Sequence, residues 1–525
     1  MKAEHLKRWR VVVSLSIFVL TSLVFLDFTS FFPASWTNGV VFVQFLPSLL
    51  KFLGAAGLGA TGFAIILLLT LVFGRVYCSS ICPLGTLQDI ISFLARKIEK
   101  KKCHRQTKAN GALHYSILIA VVVCALLGSF LPLNLLDPFS SFGRIVVNIV
   151  KPVGVNANNA IAFTLQRFGL YSLHPYEIKS VVVSSVMVPM FIVVILLWMA
   201  YRHGRLYCNA ICPVGALLRF MSKFSFYRIG IDVGGCIGCN LCESVCKSGC
   251  IDKRAKSLDF ARCIGCYNCL SVCPTGGLVL ERRIPQMPPP TKFVSGGALN
   301  PVADLQRREI VVKALLFLVG LPNVALRRKI GTKESTVKVV RTLSVLPPGA
   351  IGLERFANKC TACHLCVSTC PSQVITASFL EYGIDGIMRP HMNYRASFCN
   401  FECTACTEIC PSGALLPLTK ESKKTTQLGA VKFVKDNCIV KTEETECGAC
   451  SEHCPTKAVN MVPYKNKLVI PEVKEEYCIG CGACEYACPT KPYKAIYVDG
   501  KAVHGMAKKP KVKKLDEQVQ EEFPF

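Results

Sequence analysis

Charged residues are sparse in this chain, 18% of 525 positions, and acidic ones are the sparser kind: 34 Asp and Glu stand against 61 Lys and Arg. Apolar residues make up 51%. That balance excludes a largely disordered protein and points to a membrane segment. No Gly-x-Gly-x-x-Gly follows a strand-like run and no Walker A string occurs, so neither NAD(P)H oxidation nor ATP use is indicated. What the chain has in quantity is cysteine, 31 residues. The odd number forbids complete intramolecular disulfide pairing, and a chain of this length, with room for roughly three or four domains, needs no such staples.

The cysteines fall in runs. Cys236, Cys239, Cys242 and Cys246 form one, and Cys263, Cys266, Cys269 and Cys273 a second. Four more follow: Cys360, Cys363, Cys366, Cys370; Cys399, Cys403, Cys406, Cys410; Cys438, Cys447, Cys450, Cys454; and Cys478, Cys481, Cys484, Cys488. The x2, x2, x3 rhythm with a following proline is the bacterial ferredoxin pattern, in which three cysteines hold one [4Fe-4S] cubane and the fourth reaches a second. About six [4Fe-4S] clusters are therefore expected. Structural zinc is the alternative for an isolated CxxC, but zinc sites do not repeat in this way. In the first pair, Cys236, Cys239 and Cys242 would join Cys273, while Cys263, Cys266 and Cys269 would join Cys246. Lys247 stands where proline is usual, and a supernumerary Cys250 competes with Cys246 as fourth ligand. In the last four runs the motif starts lie 39, 39 and 40 residues apart, and Cys399 and Cys438 open with irregular gaps. Either neighbouring motifs pair, or the outer two and the inner two. With cluster and thiolates together carrying about −2, six cubanes would lower the net charge of +27 to roughly +15. The basic composition is thus no sign of nucleic-acid binding.

Four apolar stretches, 11–28, about 55–73, about 113–131 and about 181–201, are read as membrane helices. Lys and Arg concentrate before the first and after the second, so these flanks and the segment after the fourth are expected in the cytoplasm. A cleaved signal peptide is the rival for the first, but Phe31-Phe32-Pro33 is no small-residue cleavage site. Between 132 and 180 two mixed stretches read as interfacial helices or as loop packed on the bundle.

The second and fourth stretches end in matching strings 130 residues apart: Gly74-Arg75-Val76-Tyr77-Cys78-x3-Cys82-Pro83-Leu84-Gly85 and Gly204-Arg205-Leu206-Tyr207-Cys208-x3-Cys212-Pro213-Val214-Gly215. This is a duplicated, parallel two-helix unit. Each copy puts two thiols on one helical face at the cytoplasmic membrane surface. Cys78, Cys82, Cys208 and Cys212 together would suffice for one further cluster or act as redox thiols; packing residues are the plainer reading. Arg75, Tyr77, Arg205 and Tyr207 stand where a quinone head group would rest, or else simply reach for the interface. Cys103 and Cys124 have no partner at ligand spacing.

A Pro/Gly-rich linker, 282–305, leads to Gln306-Arg307-Arg308 and an apolar run over 310–326. That is the outline of a twin-arginine export signal, with a fifth span or a surface helix as competing readings. The chain thus divides into a four-span membrane domain (1–224), a two-cluster module (225–281), the linker, the signal-like segment (306–330), a four-cluster polyferredoxin module (331–507) and a disordered tail (508–525). The expected fold class is a membrane α-helical bundle carrying two α+β ferredoxin-like modules.

Residues 1 to about 280, with paired CxxxCP strings followed by a two-cubane ferredoxin, resemble the membrane quinol-dehydrogenase component of periplasmic nitrate reductase systems, NapH, and its methylamine-system relative MauN. Residues 306 to about 500, with the twin-arginine stretch, Leu346-Pro347-Pro348-Gly349-Ala350 and four cubane motifs, resemble the exported partner NapG or MauM. The chain looks like a fusion of the two. The resemblance implies a multi-pass protein of the bacterial inner membrane, its first module cytoplasmic and its second periplasmic. It further implies oxidation of quinol and delivery of electrons to a periplasmic or membrane-associated reductase or cytochrome. A redox sensor or a maturation factor for a respiratory metalloenzyme is the alternative from another class.

Overall fold

In the computed structural model the described residues are 3–27, 32–54, 61–99, 111–179, 183–232, 234–252, 256–282, 337–379 and 381–509. The twin-arginine stretch, the 310–326 run, most of the linker, Cys103 and most of the terminal tail lie outside them.

Helix α1, Ala3–Leu26, turns inside out the pattern of a soluble helix. Its polar Arg10, Ser14 and Thr21 are buried, while Val12, Leu15, Val19 and Leu23 are exposed. The helical part continues, after the short helices Ala34–Phe42 and Phe45–Gly54, with α2 (Gly62–Phe73), α3 (Pro83–Glu99), α4 (Gly111–Leu126), α5 (Pro138–Ile145), α6 (Lys151–Arg167), α7 (Val183–His203) and α8 (Pro213–Ser222). The same inversion recurs in α2, where Thr70 is buried and Ile65 and Leu68 exposed, and in α4, where His114 is buried and Ile119 and Val122 exposed. On α7, Met187, Phe191, Val194, Leu197 and Trp198 face outward. Water would oppose such faces; hydrocarbon accepts them. Stretches within α1 and α7, Glu4–Leu26 and Ser185–His203, are long and apolar enough to cross a membrane, whereas α2 and α4 are shorter apolar helices. Of the two stretches in the 132–180 region, the first, 142–150, runs from the end of the buried α5 through a π-helical turn to the exposed Val150, and the second lies in α6, which leaves Val153, Ile161 and Phe163 exposed.

Residues 225–282 form a small module tied by strands β1 (Tyr227–Ile231) and β2 (Leu278–Arg282), antiparallel with Ile229 opposite Leu280. Residues 337–509 hold β3 (Ile375–Ala377), β4 (Pro390–Met392), β5 (Thr426–Phe433), β6 (Val459–Pro463), β7 (Val469–Val473) and β8 (Ile496–Met506). They pair as the antiparallel ribbons β3–β4, β6–β7 and β5–β8. Leu346 and Ala350 of the Leu-Pro-Pro-Gly-Ala string are buried in this module's core, beside ligand-spaced cysteines.

The two modules meet opposite ends of α1. Near its start, Lys7 Nζ donates to Ser271 of the first module at 3.2 Å. Near its end, Ser368 of the second module donates to the Phe25 carbonyl. Eighteen residues of helix separate these contacts, about 27 Å, close to the thickness of a hydrocarbon core. The second module is also held by the turn between α5 and α6 and by the start of α6: Asn148 Nδ2 donates to His364 Nδ1 at 2.8 Å and Lys151 Nζ to the Ser368 carbonyl at 2.7 Å.

Candidate iron–sulfur sites

The strict motifs share one local fold. In Cys-Ile-Gly-Cys-Asn, Cys-Ile-Gly-Cys-Tyr, Cys-Thr-Ala-Cys-His and Cys-Ile-Gly-Cys-Gly, the residue before the second cysteine and the one after it both have positive φ. The pairs are Gly238/Asn240, Gly265/Tyr267, Ala362/His364 and Gly480/Gly482. Two left-handed residues in so short a loop turn backbone N–H groups inward, the geometry of an anion-binding nest. In three of the loops the N–H two residues on lies against the first sulfur: Gly265 to Cys263 Sγ at 3.5 Å, Ala362 to Cys360 Sγ at 3.4 Å and Gly480 to Cys478 Sγ at 3.4 Å. Cys273, Cys370 and Cys488 are extended at ψ 109–123°, as a following proline demands. The Cys399 and Cys438 runs, with their longer first gaps, lack the double left-handed turn.

The fourth cysteine of each run crosses to its neighbour. Cys236, Cys239, Cys242 and Cys273 line one cavity; Cys246, Cys263, Cys266 and Cys269 line another, together with Cys250. Cys250 Sγ is 3.6 Å from Cys246 Sγ and also contacts Cys263, so five thiols meet there. In the second module neighbouring motifs pair. Cys360, Cys363 and Cys366 lie within electrostatic reach of Cys410, and Cys399 and Cys406 within reach of Cys370 and Cys403. Cys438, Cys447, Cys450 and Cys488 line one cavity, while Cys478, Cys481 and Cys484 all sense Cys454. The alternative of outer with outer is not the arrangement seen.

Burial pushes Cys360, Cys363, Cys450 and Cys481 up to about 12, with nearby thiols adding to the rise, so bare thiolates there would be costly. Iron supplies the compensating charge. Among the described residues no three His, Cys, Asp or Glu side chains converge tightly enough for a single ion. Cubane ligands sit on four separate irons and stand further apart, so these sets fit a cluster. In each set the cysteines would hold the iron, and the cluster would supply one-electron redox chemistry.

The duplicated strings meet inside the bundle. Cys78, Cys82, Cys208 and Cys212 are each 4–5% exposed and interact electrostatically with one another. The sequence placed them at the membrane surface; in the fold, the short helices Val76–Ser80 and Leu206–Ala210 turn inward. The reason is an exchange of arginines. Arg75 donates to Asn209 Oδ1 at 2.6 Å and to the Cys208 carbonyl at 2.8 Å, and Arg205 donates to the Cys78 carbonyl. Gly85 and Gly215 let the arginines pass, since a Cβ at Gly85 would meet Arg205 Nη1 at 2.4 Å and one at Gly215 would meet Arg75 Nη2 at 3.1 Å. Neither arginine reaches an interface: both are essentially unexposed. Tyr77 and Tyr207 are buried too, their hydroxyls donating to Gln44 Oε1 at 3.2 Å and the Leu136 carbonyl at 2.8 Å. Asp89 escaped the sequence reading. It binds Arg205 at 2.8 Å, Lys247 at 3.0 Å and Arg10 at 3.2 Å, tying the repeat to α1 and the first module. The available signal was its counterpart in the second copy, Arg219, which has the opposite charge.

A family model described as a 4Fe-4S binding domain matches residues 55–101 and 185–231, the two copies of the repeat. A 4Fe-4S dicluster domain matches 235–277, 359–440 and 445–491. The ferredoxin-type protein NapH of Haemophilus influenzae is 27% identical over 188 residues, 35% of this chain and 52% of that protein. The methylamine utilization ferredoxin-type protein MauN of Methylorubrum extorquens is 29% identical over 206 residues, 38% of this chain and 58% of that protein. MauM of Methylophilus methylotrophus is 31% identical over 187 residues, 34% of this chain and 80% of that protein. The chain spans only about half of the NapH and MauN relatives. No solved structure matches. With cysteine sets that fit cubanes and a MauM relative covered over four-fifths of its length, the chain belongs to the NapH/MauM-type family of ferredoxin-type iron–sulfur electron-transfer proteins.

Proposed function

We propose that this protein is a four-span membrane electron carrier that oxidises quinol and relays the electrons, one at a time, to a reductase or cytochrome outside the cytoplasmic membrane. The observation that carries the reading is the docking of two multi-thiol modules at opposite ends of α1. A hydrolase or transporter has no use for six such sets. The outward apolar faces of α1, α2, α4 and α7 support four spans, and the basic flanks of α1 and α2 support a cytoplasmic first module. The second module, at the far end of α1, is then periplasmic, in keeping with the twin-arginine outline upstream of it.

A quinol needs an apolar entrance and a polar back wall. Between α1, α3 and the first module lies a cleft of about 530 Å³ with Leu15 and Phe93 exposed at its mouth and Arg10, Ser14 and Asp89 behind. Val272, one residue from Cys273, lines the same cleft. This cleft suits the head group better than the buried Arg75, Tyr77, Arg205 and Tyr207. The test is anaerobic addition of quinol to the cluster-loaded full chain. Bleaching of the iron–sulfur absorbance and appearance of reduced-cluster EPR signals are expected; clusters that dithionite reduces and no quinol reduces would refute the reading.

A further inference from the structure

The bundle holds four buried thiols that the six ferredoxin-type sets leave over. We propose that Cys78, Cys82, Cys208 and Cys212 hold a single iron–sulfur cluster shared between the two copies of the repeat, and that electrons pass through it from one ferredoxin module to the other. This rests on the electron-carrier reading and adds the route across the hydrocarbon.

The first support is convergence: two thiols from each copy, all buried, meet in one core. The second is a charge left without its partner. The repeat makes Arg75 the counterpart of Arg205, and Asp89 the counterpart of Arg219. Arg205 therefore finds a carboxylate, at 2.8 Å, whereas the equivalent position for Arg75 is a cation. Among the described residues Arg75 donates to neutral oxygens and, at 3.9 Å from Nη2, to Cys78 Sγ, no carboxylate pairs with it, and its Nε has no partner. A fully buried guanidinium without a counter-ion is strongly disfavoured. Four thiolates on a cluster, net charge about −2, would supply that counter-ion.

The third support is position. On the first-module side, Cys263 senses Arg75, and Cys266 senses Lys247, which binds Asp89 and through it Arg205. On the other side, Tyr77 and Tyr207 each interact electrostatically with thiols of this group and with Asp137, and Asp137 and Arg144 interact in turn with Cys363 of the second module. Cys266, the four thiols and Cys363 share one buried core. Tunnelling decays steeply with distance, so modules separated by most of a bilayer need an intermediate site, and this is where the fold offers one. Each transfer moves one electron from a reduced to an oxidised site, with iron changing valence and no bond made or broken. Quinol supplies two electrons and releases two protons; the external acceptor takes the electrons.

The test compares the anaerobically purified full chain with a variant carrying Cys78→Ser, Cys82→Ser, Cys208→Ser and Cys212→Ser, with Cys124→Ser as control. The quadruple variant is expected to lose one cluster's iron and sulfide while the ferredoxin signals persist. Equal iron content, or four thiols recovered as disulfides from wild type, overturns the proposal. Should the quadruple variant fail to fold, Arg75→Met leaves every thiol in place. It is expected to lower the midpoint potential of one cluster signal, with Arg75→Lys restoring it; no shift in any signal overturns the assignment. In proteoliposomes, dithionite confined to one side should reduce both modules of wild type but only the facing module of the quadruple variant, and equal reduction in the two refutes the route. If dithionite reduces the wild type throughout while quinol reduces nothing, the relay stands and the quinol reading falls.

Discussion

The first ferredoxin module and the second fold the same four-thiol sets into very different wrappings. In the first, Cys239 is exposed and Cys236, Cys242 and Cys273 are only partly covered, and the core holds seven buried apolar residues, three of them cysteines. In the second, thirteen of sixteen motif cysteines are buried, twelve of them within a core that reaches from Val345 to Ala507. A domain of under 60 residues buries too little apolar surface to be comfortable alone. The first module therefore leans on its clusters and on the bundle, while the second has a protein core of its own. Exposure also marks where electrons can leave. Cys399 N donates to the Cys481 carbonyl at 2.9 Å, which joins the two halves of the second module and leaves the set containing the half-exposed Cys447 at its far end. Each module thus has one set packed towards the bundle and one ending at the surface.

The comparison is broken most severely by removing a ligand at each extreme. Cys363→Ser takes a buried ligand from the set touching the bundle, where Cys363 belongs to the shared core. Loss of that cluster and release of the second module from α5 are expected, read as lost iron and new protease sensitivity after residue 337. Cys239→Ser, at an exposed corner, should leave the fold intact and convert a cubane to a three-iron form with its distinct EPR signal. A similar outcome for the two variants would refute the difference in wrapping. Glycine provides a finer cut. Gly482 and Gly238 share the left-handed conformation, but a Cβ at Gly482 would meet the Tyr394 ring at 2.0 Å, while one at Gly238 meets nothing within 4 Å. Gly238→Ala should cost about 1 kcal/mol, the left-handed penalty alone. Gly482→Ala adds overpacking in a closed core, about 3 kcal/mol in all. Denaturant midpoints of the loaded protein measure both.

Local chemistry was legible in the sequence, and long-range pairing was not. Cys-x-Gly-Cys or Cys-x-Ala-Cys names both the ligands and the left-handed turn that aims N–H groups at sulfur, and Cys-Pro names the extended fourth ligand. Which motifs share a set depends on the β5–β8 ribbon, whose partners, such as Phe433 and Ile496, lie dozens of residues apart. Arg75 and Arg205 show the same limit. A basic residue at the end of an apolar run looks like an interface anchor, and only the crossing of the two copies brings each arginine into the other's interior. The duplication itself was plain from eight matching residues, yet its most telling feature was a mismatch, Asp89 against Arg219, that acquires meaning only once Arg205 and Asp89 are seen in contact.

The gentlest probe of the two wrappings is acid. The first module contains no histidine between 225 and 282, whereas the second holds His504 on β8 with neither ring nitrogen hydrogen-bonded among the described residues. Burial lowers His504 from 6.5 to about 4. Between those values the unfolded chain binds a proton that the folded module refuses, so stability falls as pH drops below about 6.5 and the loss is complete near 4. At pH 6 the effect is at most about 0.8 kcal/mol, less with residual solvation of the ring. Thermal unfolding of the loaded protein should show the second module's transition moving down between about pH 7 and 6. His504→Gln should lessen that dependence by the share of His504, His364 (lowered by burial to about 3) and His391 (also lowered) keeping the rest, and the first module's transition should stay nearly still over the same range. Parallel movement of both transitions would mean that carboxylates common to the two modules, and not a buried imidazole confined to one, set their response to acid.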